Sequence, residues 1–267
     1  LEGKDDLQML DLISFLTQIP LKKNVQIEDV KAKSHLFPLV GLVVGLVVAV
    51  VAFVVFGVLS KTTEIAALVT LLALYLVTGL LHLDGVADFF DGVMAPGSKE
   101  EKRRAMKDNA IGIAGLFAVV LVLLVSLFAI EAVGADLTTA AFDFDFGSFY
   151  GFAAVFVTAE VAAKLSMNTC LILGKGFESS EGLGTLFIRS STRLKYLSAL
   201  LSAVIIAIFF TASFRFVIVF TGVIVAFVVA HIAKQKFGII SGDVMGASNE
   251  LARCATLLLW AVIQIGA

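Results

Sequence analysis

The sequence predicts an all-α, polytopic membrane protein, with about seven transmembrane helices behind one N-terminal amphipathic helix. Three observations predict it. Of 267 residues, 59% are hydrophobic and 16% charged, against about 45–50% and about 25% in soluble domains; mean hydropathy is +1.00. Apolar stretches near the roughly 20 residues needed to span a bilayer recur along the chain. Positive charges sort to one side of those stretches.

The elements follow in order. Within residues 5–19, Met9, Leu12, Ile13, Phe15, Leu16 and Ile19 share one helix side, with Leu7 at its margin. Asp11, Ser14, Thr17 and Gln18 take the other side, so this helix is expected to lie in the membrane interface, against lipid. Spans are expected at 36–59, 62–82, 111–133, 148–173, 195–212, 215–234 and 244–266. The bundle then covers 36–266 of a single integral membrane domain, 1–267. Only Ala212-Ser213-Phe214 separates the fifth and sixth spans, as a tight hairpin or between half-spans.

With the N-terminus inside, 16 Lys and Arg residues fall on cytoplasmic segments. Outside segments hold only Lys61 and Arg215; Lys164 and Arg253 lie within spans. This positive-inside split predicts a multi-pass cell (inner) membrane protein with its C-terminus outside. A cysteine at Ser98 should therefore be labelled only from the cytoplasm, and one at Thr139 only from outside. Labelling of both from one side overturns the arrangement. No secretory signal is expected, because residues 1–35 are mostly polar. A net charge of −2 gives no reason to expect a nucleic-acid partner. Cys170 and Cys254 sit in apolar runs and read as core residues, not a disulfide or metal pair.

Chemistry concentrates where the second span ends. His82-Leu83-Asp84-Gly85-Val86-Ala87-Asp88-Phe89-Phe90-Asp91-Gly92 packs three aspartates into eight residues. On a helix, Asp84, Asp88 and Asp91 fall within an arc of about 60°. Three anions on one face repel unless a cation sits among them, and a hard cation such as Mg²⁺ takes carboxylates plus substrate phosphates. A solvated acidic helix end is the alternative. His82 points about 160° away and joins the aspartates only if Gly85 breaks the helix.

Three further motifs reach the same side. Lys107-Asp108-Asn109 precedes the third span, where Asp108 or Asn109 can cap the helix and Lys107 can bind phosphate. Residues 174–185 hold four glycines around Glu181, Gly182 and Gly184, a loop able to offer backbone N–H groups to phosphate. Ser241-Gly242-Asp243 opens the last span, with Glu250 seven residues on from Asp243 and so on its face. Glu250 can instead pair with Arg253. Glu160 and Lys164 are expected to form a structural i, i+4 pair at mid-depth, and His231 to be packed. No Ser/His/Asp set, Walker loop or Cys/His metal spacing is present.

Together these segments resemble the cobalamin (5′-phosphate) synthase, or adenosylcobinamide-GDP ribazoletransferase, family. The likeness runs in order through Phe15–Pro20, Phe37–Gly41, His82–Gly92, Lys107-Asp108-Asn109 with Gly112 and Gly115, Glu181–Gly184, and Ser241-Gly242-Asp243 with Gly246-Ala247 and Glu250. Gln18, Asn109 and Ser241 stand where the family often has arginine, serine and threonine, and Gln18 loses a charge. The resemblance implies a Mg²⁺-dependent membrane transferase, compatible with a homo-oligomer and in contact with lipid. It would join adenosylcobinamide-GDP to α-ribazole or its 5′-phosphate and release GMP. Asp84, Asp88 and Asp91 would be catalytic and, with Asp108 and Asp243, hold metal; Asp91 is the first choice to accept the hydroxyl proton. His82, Lys107, Asn109, Glu181, Gly182, Gly184, Ser241 and Glu250 would bind substrate. The aspartate run is also similar to part of the CDP-alcohol phosphotransferase signature but lacks its arginine, having Asp88 there. A transporter using Glu160, Lys164 and Glu250 is the reading from another class.

Overall fold

The computed structural model describes residues 2–21, 25–138, 143–179 and 181–265; Thr139 lies outside them. Its helices are α1 (Glu2–Leu16), α2 (Ile27–Ala32), α3 (Phe37–Val58), α4 (Thr63–Thr78), α5 (Leu81–Met94), α6 (Lys99–Ala105), α7 (Ile113–Leu137), α8 (Phe146–Leu173), α9 (Leu183–Ser190), α10 (Arg193–Thr211), α11 (Thr221–Lys236) and α12 (Gly242–Ile265), with 3₁₀ turns at Ser34–Leu36 and Phe214–Phe220. Among the described residues the only strand-like pairing is an isolated bridge between Glu178 and Ile240.

Five stretches are long and apolar enough to cross a membrane: Ser34–Val58, Ile113–Leu137, Phe146–Leu173, Arg193–Thr211 and Phe214–Lys236. A sixth is reached if α4 and α5 count as one bent span. The expected count of seven gives way at two places. The stretch at 62–82 is not one rod: Gly79 takes φ +72°, a backbone open to glycine, and α5 leaves at 94° to α4. α12 is long enough, but it buries Asn249, Glu250 and Arg253 inside the bundle and so is not apolar by composition.

α8 is the central post, with every side chain from Phe152 to Leu171 buried. α3 lies directly on it. A Cβ on Gly41 would stand 2.7 Å from the Glu160 carbonyl, and one on Gly45 2.5 Å from Val157 Cα. Small residues at a four-residue spacing thus let two backbones touch, the usual way apolar helices associate in lipid. The outer faces remain apolar: Ile113, Phe117, Leu121, Leu124 and Phe128 are exposed along α7. These recur every three or four residues, the stripe a lipid-facing helix presents.

The apolar side of α1 meets protein, not lipid. Leu12, Ile13 and Leu16 are buried, and Phe15 stacks on Phe187 of α9 at 5.5 Å. Asp11, expected on the outer side, is fully buried, where it accepts a hydrogen bond from Gln26 N at 3.4 Å. His231, expected to be packed, is exposed on α11, its Nε2 2.8 Å from Gln235 Nε2. Cys170 and Cys254 are free and buried.

Four charged side chains join α8 to α12. Lys164 is 3.9 Å from Glu160, and its Nζ donates instead to Asn249 Oδ1 at 2.8 Å. The partner of Glu160 is Arg253, which donates through Nε to Oε1 and through Nη2 to Oε2 at 3.3 Å. Arg253 Nη1 reaches both oxygens of Glu250 at 2.6 Å, and Tyr75 of α4 donates to Glu250 Oε2 at 3.0 Å. Two acids and two bases balance, as buried charges away from water require.

Candidate active site

The site is built where α5 crosses the start of α12. A Cβ on Gly85 would meet the Asp243 carbonyl at 2.8 Å, and one on Gly246 would meet His82 Cα at 3.3 Å. Two glycines therefore let the helices cross at backbone distance. Gly85 does not break α5; it packs inside it, and the break lies earlier, at Gly79. His82 reaches the site without the expected break, because α12 closes over the side of α5 opposite the aspartates.

α5, turned away from α4, lies at the end of the bundle that carries the 95–112, 174–182 and 237–242 segments. Asp84 is exposed there and Asp88 half-buried. Burial, with Asp84, Asp243 and Asp91 around it, pushes the Asp88 carboxyl up to about 7. Three aspartates from two helices thus act on Asp88, whose anion gains from a cation placed beside it. No three His, Cys, Asp or Glu side chains among the described residues converge as a ready-made metal cage. Mg²⁺ usually takes one or two protein carboxylates and leaves its other positions to water and phosphate.

Asp91 has a further task. Its Oδ2 accepts from Gly112 N at 2.7 Å and its Oδ1 from Gly115 N at 2.8 Å. α7 opens at Gly112, which has no side chain to cap with, so a carboxylate from α5 satisfies its free N–H groups. Asp108 and Asn109, the expected caps, stand exposed before the helix, and Asp108 closes a local turn with Ala110 N at 3.1 Å. Asp243 is likewise not the cap of α12: Ser241 Oγ accepts from Val244 N at 3.4 Å and donates to Asp243 Oδ2 at 3.2 Å.

Two cavities meet beside this crossing. The outer one, about 600 Å³, is a charged cleft with Arg103, Arg104, Lys107, Asp108 and Glu178 in its walls. The inner one, about 360 Å³, runs under α1 and α9 and is walled by Phe15, Leu16, Phe37, Met167, Leu171 and Phe187. Its polar side brings together His82, Lys107, Glu181, Gly182, Gly184, Ser241 and Asp243, seven of the residues nominated from sequence. Lys107, Ser179 and Ile239 line both cavities, which marks their junction. Asn109 lines neither. Glu250 also lies away from both, held in the Arg253 network. Gln18 packs on the Gly79 bend, its Nε2 2.5 Å from where a Cβ there would be.

The loops around the cavities are tied. Ile240 N donates to Phe177 O at 2.7 Å, and Thr185 Oγ1 to Ser179 O at 3.0 Å. Arg103 Nη1 donates to Phe237 O at 2.7 Å, leaving Arg104 and Lys107 to supply cleft charge. α9 and α12 both begin at the inner cavity, so two helix N-termini point N–H groups at it. His82 is buried, its Nδ1 without a hydrogen-bond partner. Sequence reasoning missed Arg104 and the apolar walls. The Lys99–Lys107 charge run signalled the first, but topology alone accounted for it; nothing distinguished the wall residues from core.

Comparison with known proteins identifies the family. A family model described as Cobalamin-5-phosphate synthase matches residues 8–261. A curated protein from Methanococcoides burtonii, named adenosylcobinamide-GDP ribazoletransferase, is 30% identical over 93% of this chain and 89% of its own length. Proteins of the same name from Pyrococcus furiosus and Thermococcus onnurineus are 32% and 34% identical, covering 95% and 94% of this chain and 99% and 96% of theirs. No solved structure matches. The six segments singled out in the sequence all fall within the matched range, and the chain belongs to the cobalamin-5-phosphate synthase family.

Proposed function

We propose that this chain joins adenosylcobinamide-GDP to α-ribazole or its 5′-phosphate, releasing GMP, at the α5–α12 crossing. The observation that carries the reading at this site is the junction of a charged cleft and an apolar chamber, with Asp243 of the α5–α12 crossing in the chamber lining. A ribazole hydroxyl attacks the cobinamide-linked phosphorus, and the bond to the GMP oxygen breaks. Such transfers need in-line positioning and neutralised charge more than covalent help from the protein.

The residues divide that work. Arg104 and Lys107 offset the diphosphate charge from the cleft side, and the N-termini of α9 and α12 face it from the chamber side. Two of Asp84, Asp88 and Asp243 would hold Mg²⁺, the substrate phosphates completing its shell, with Asp108 near the cleft mouth. When bound, the ion supplies charge neutralisation at the diphosphate oxygens. Asp91 keeps the start of α7 in place through Gly112 and Gly115, so it acts by positioning. The hydroxyl proton then falls to a carboxylate of this group, Asp88. His82 lines the chamber beside them. Glu160, Lys164 and Glu250 are absorbed in a balanced network, which favours this reading over transport.

The charge split of the loops favours a site on the cytoplasmic face. Purified protein given adenosylcobinamide-GDP, α-ribazole and Mg²⁺ is expected to yield cobalamin and GMP in equal amounts, and to stop when EDTA is added. Absence of both products in a folded, metal-supplied sample overturns the proposal. Formation of a lipid product from a CDP-alcohol donor would move the chain to the rival reaction.

A further inference from the structure

The inner cavity has a composition that the transfer reaction does not by itself explain. Six apolar side chains, Phe15, Leu16, Phe37, Met167, Leu171 and Phe187, form one wall of a space of about 360 Å³. That volume is at the small end of cavities that enclose a whole ligand, roughly 300–1,000 Å³. The rings are arranged as neighbours: Phe15 lies over Phe187 at 5.5 Å, and Phe37 meets Phe187 at 6.0 Å. A flat aromatic ligand can add to such a set in offset or edge geometry. Buried His82 also lines this space.

Resting on the transfer reading, we propose that this chamber holds the fused bicyclic base of α-ribazole, with its ribose toward His82 and the cavity junction. The other candidates fit worse. A corrinoid, with its macrocycle and fringe of amides, exceeds the space. A benzimidazole, which carries only ring nitrogens, suits the Phe, Leu and Met side chains better than guanine, whose carbonyl and amino groups all require polar partners. The guanosine diphosphate half suits the cleft of Arg104 and Lys107, across the junction. In this arrangement the ribose hydroxyl and the phosphorus approach each other from opposite cavities beside Asp243. The corrinoid extends outward from the junction instead of being enclosed.

The test uses the full-length protein in detergent and titrates α-ribazole alone by calorimetry. Met167→Phe fills the chamber, and Phe15→Ala removes one wall from a half-exposed position, with little risk to folding. Thermal unfolding checks that each variant is folded. Each is expected to weaken α-ribazole binding about tenfold or more, while KM for adenosylcobinamide-GDP stays within about twofold. Free 5,6-dimethylbenzimidazole should compete with α-ribazole and not with adenosylcobinamide-GDP. Unchanged α-ribazole affinity in both variants overturns the assignment, as does a selective rise in KM for the corrinoid substrate or no α-ribazole binding to the wild type. A wild type that binds α-ribazole, loses it in both variants, yet forms no cobalamin leaves the chamber assigned and sinks the transfer reading instead.

Discussion

Asp88→Asn is expected to lower turnover by roughly 10²-fold or more, about 2.7 kcal/mol of transition-state stabilisation, while raising thermal stability in EDTA. Both effects have one cause. Asp88 is half-buried among Asp84, Asp91 and Asp243, a pile of like charge that disfavours its anion. Asparagine has the same shape and no charge, so the metal-free fold relaxes as the ligand and proton acceptor disappear. Asp84→Asn should lose activity comparably with little change in folding, since its side chain is exposed. Asp91→Asn should differ from both: it puts an N–H₂ where Gly112 N or Gly115 N now donates, so stability and activity fall together. Turnover and unfolding temperature, read with and without Mg²⁺, separate these cases. Near wild-type turnover in both Asp84→Asn and Asp88→Asn would remove the acidic cluster from the mechanism.

Arg253→Met is expected to be the most destabilising single change in the transmembrane core. It leaves Glu160 and Glu250 buried without the guanidinium that serves both. Breaking a buried pair by removing one partner typically costs about 3–5 kcal/mol. Pairing Arg253→Met with Glu160→Gln should recover part of this, because Lys164 and Glu250 then balance. Sequence spacing pointed to a different compensation, Glu160 with Lys164. The structure moves it, since Lys164 is bound to Asn249 and only loosely to Glu160. Unfolding in a single mild detergent would compare the three proteins. A double variant no more stable than Arg253→Met would show that charge balance does not set the cost.

Much of the site was legible because its chemistry is local. The Asp84–Asp88–Asp91 face follows from helical periodicity, and Lys107, Glu181, Gly182, Gly184 and Ser241 announced themselves as polar or glycine residues between apolar runs. Positive charge on the loops placed them all at one end, where two cavities join Lys107, Glu181, Gly182, Gly184 and Ser241 but leave Asp84, Asp88 and Asp91 outside their linings. What periodicity could not give was partnership. Asp91 looks like its neighbours in sequence, yet it alone faces the open end of α7, 21 residues away along the chain. Glu250 looks like a ligand residue, but Arg253 takes both its oxygens. The span at 62–82 reads as continuous, since hydropathy does not register that Gly79 can turn the chain with a positive φ.

By itself, then, the sequence determined an all-helical membrane chain, its charge asymmetry and the acidic motif. Each depends on composition or on residues a few positions apart, where helix geometry fixes their relation. Only the tertiary structure decided which aspartates stay available for chemistry, how the buried charges pair, and that Phe15, Phe37, Met167 and Phe187 enclose a chamber. Those outcomes depend on side chains from different helices meeting, and the backbone contact that brings them together is set by glycines at the crossings, Gly41 and Gly45 of α3 against α8, and Gly85 and Gly246 between α5 and α12.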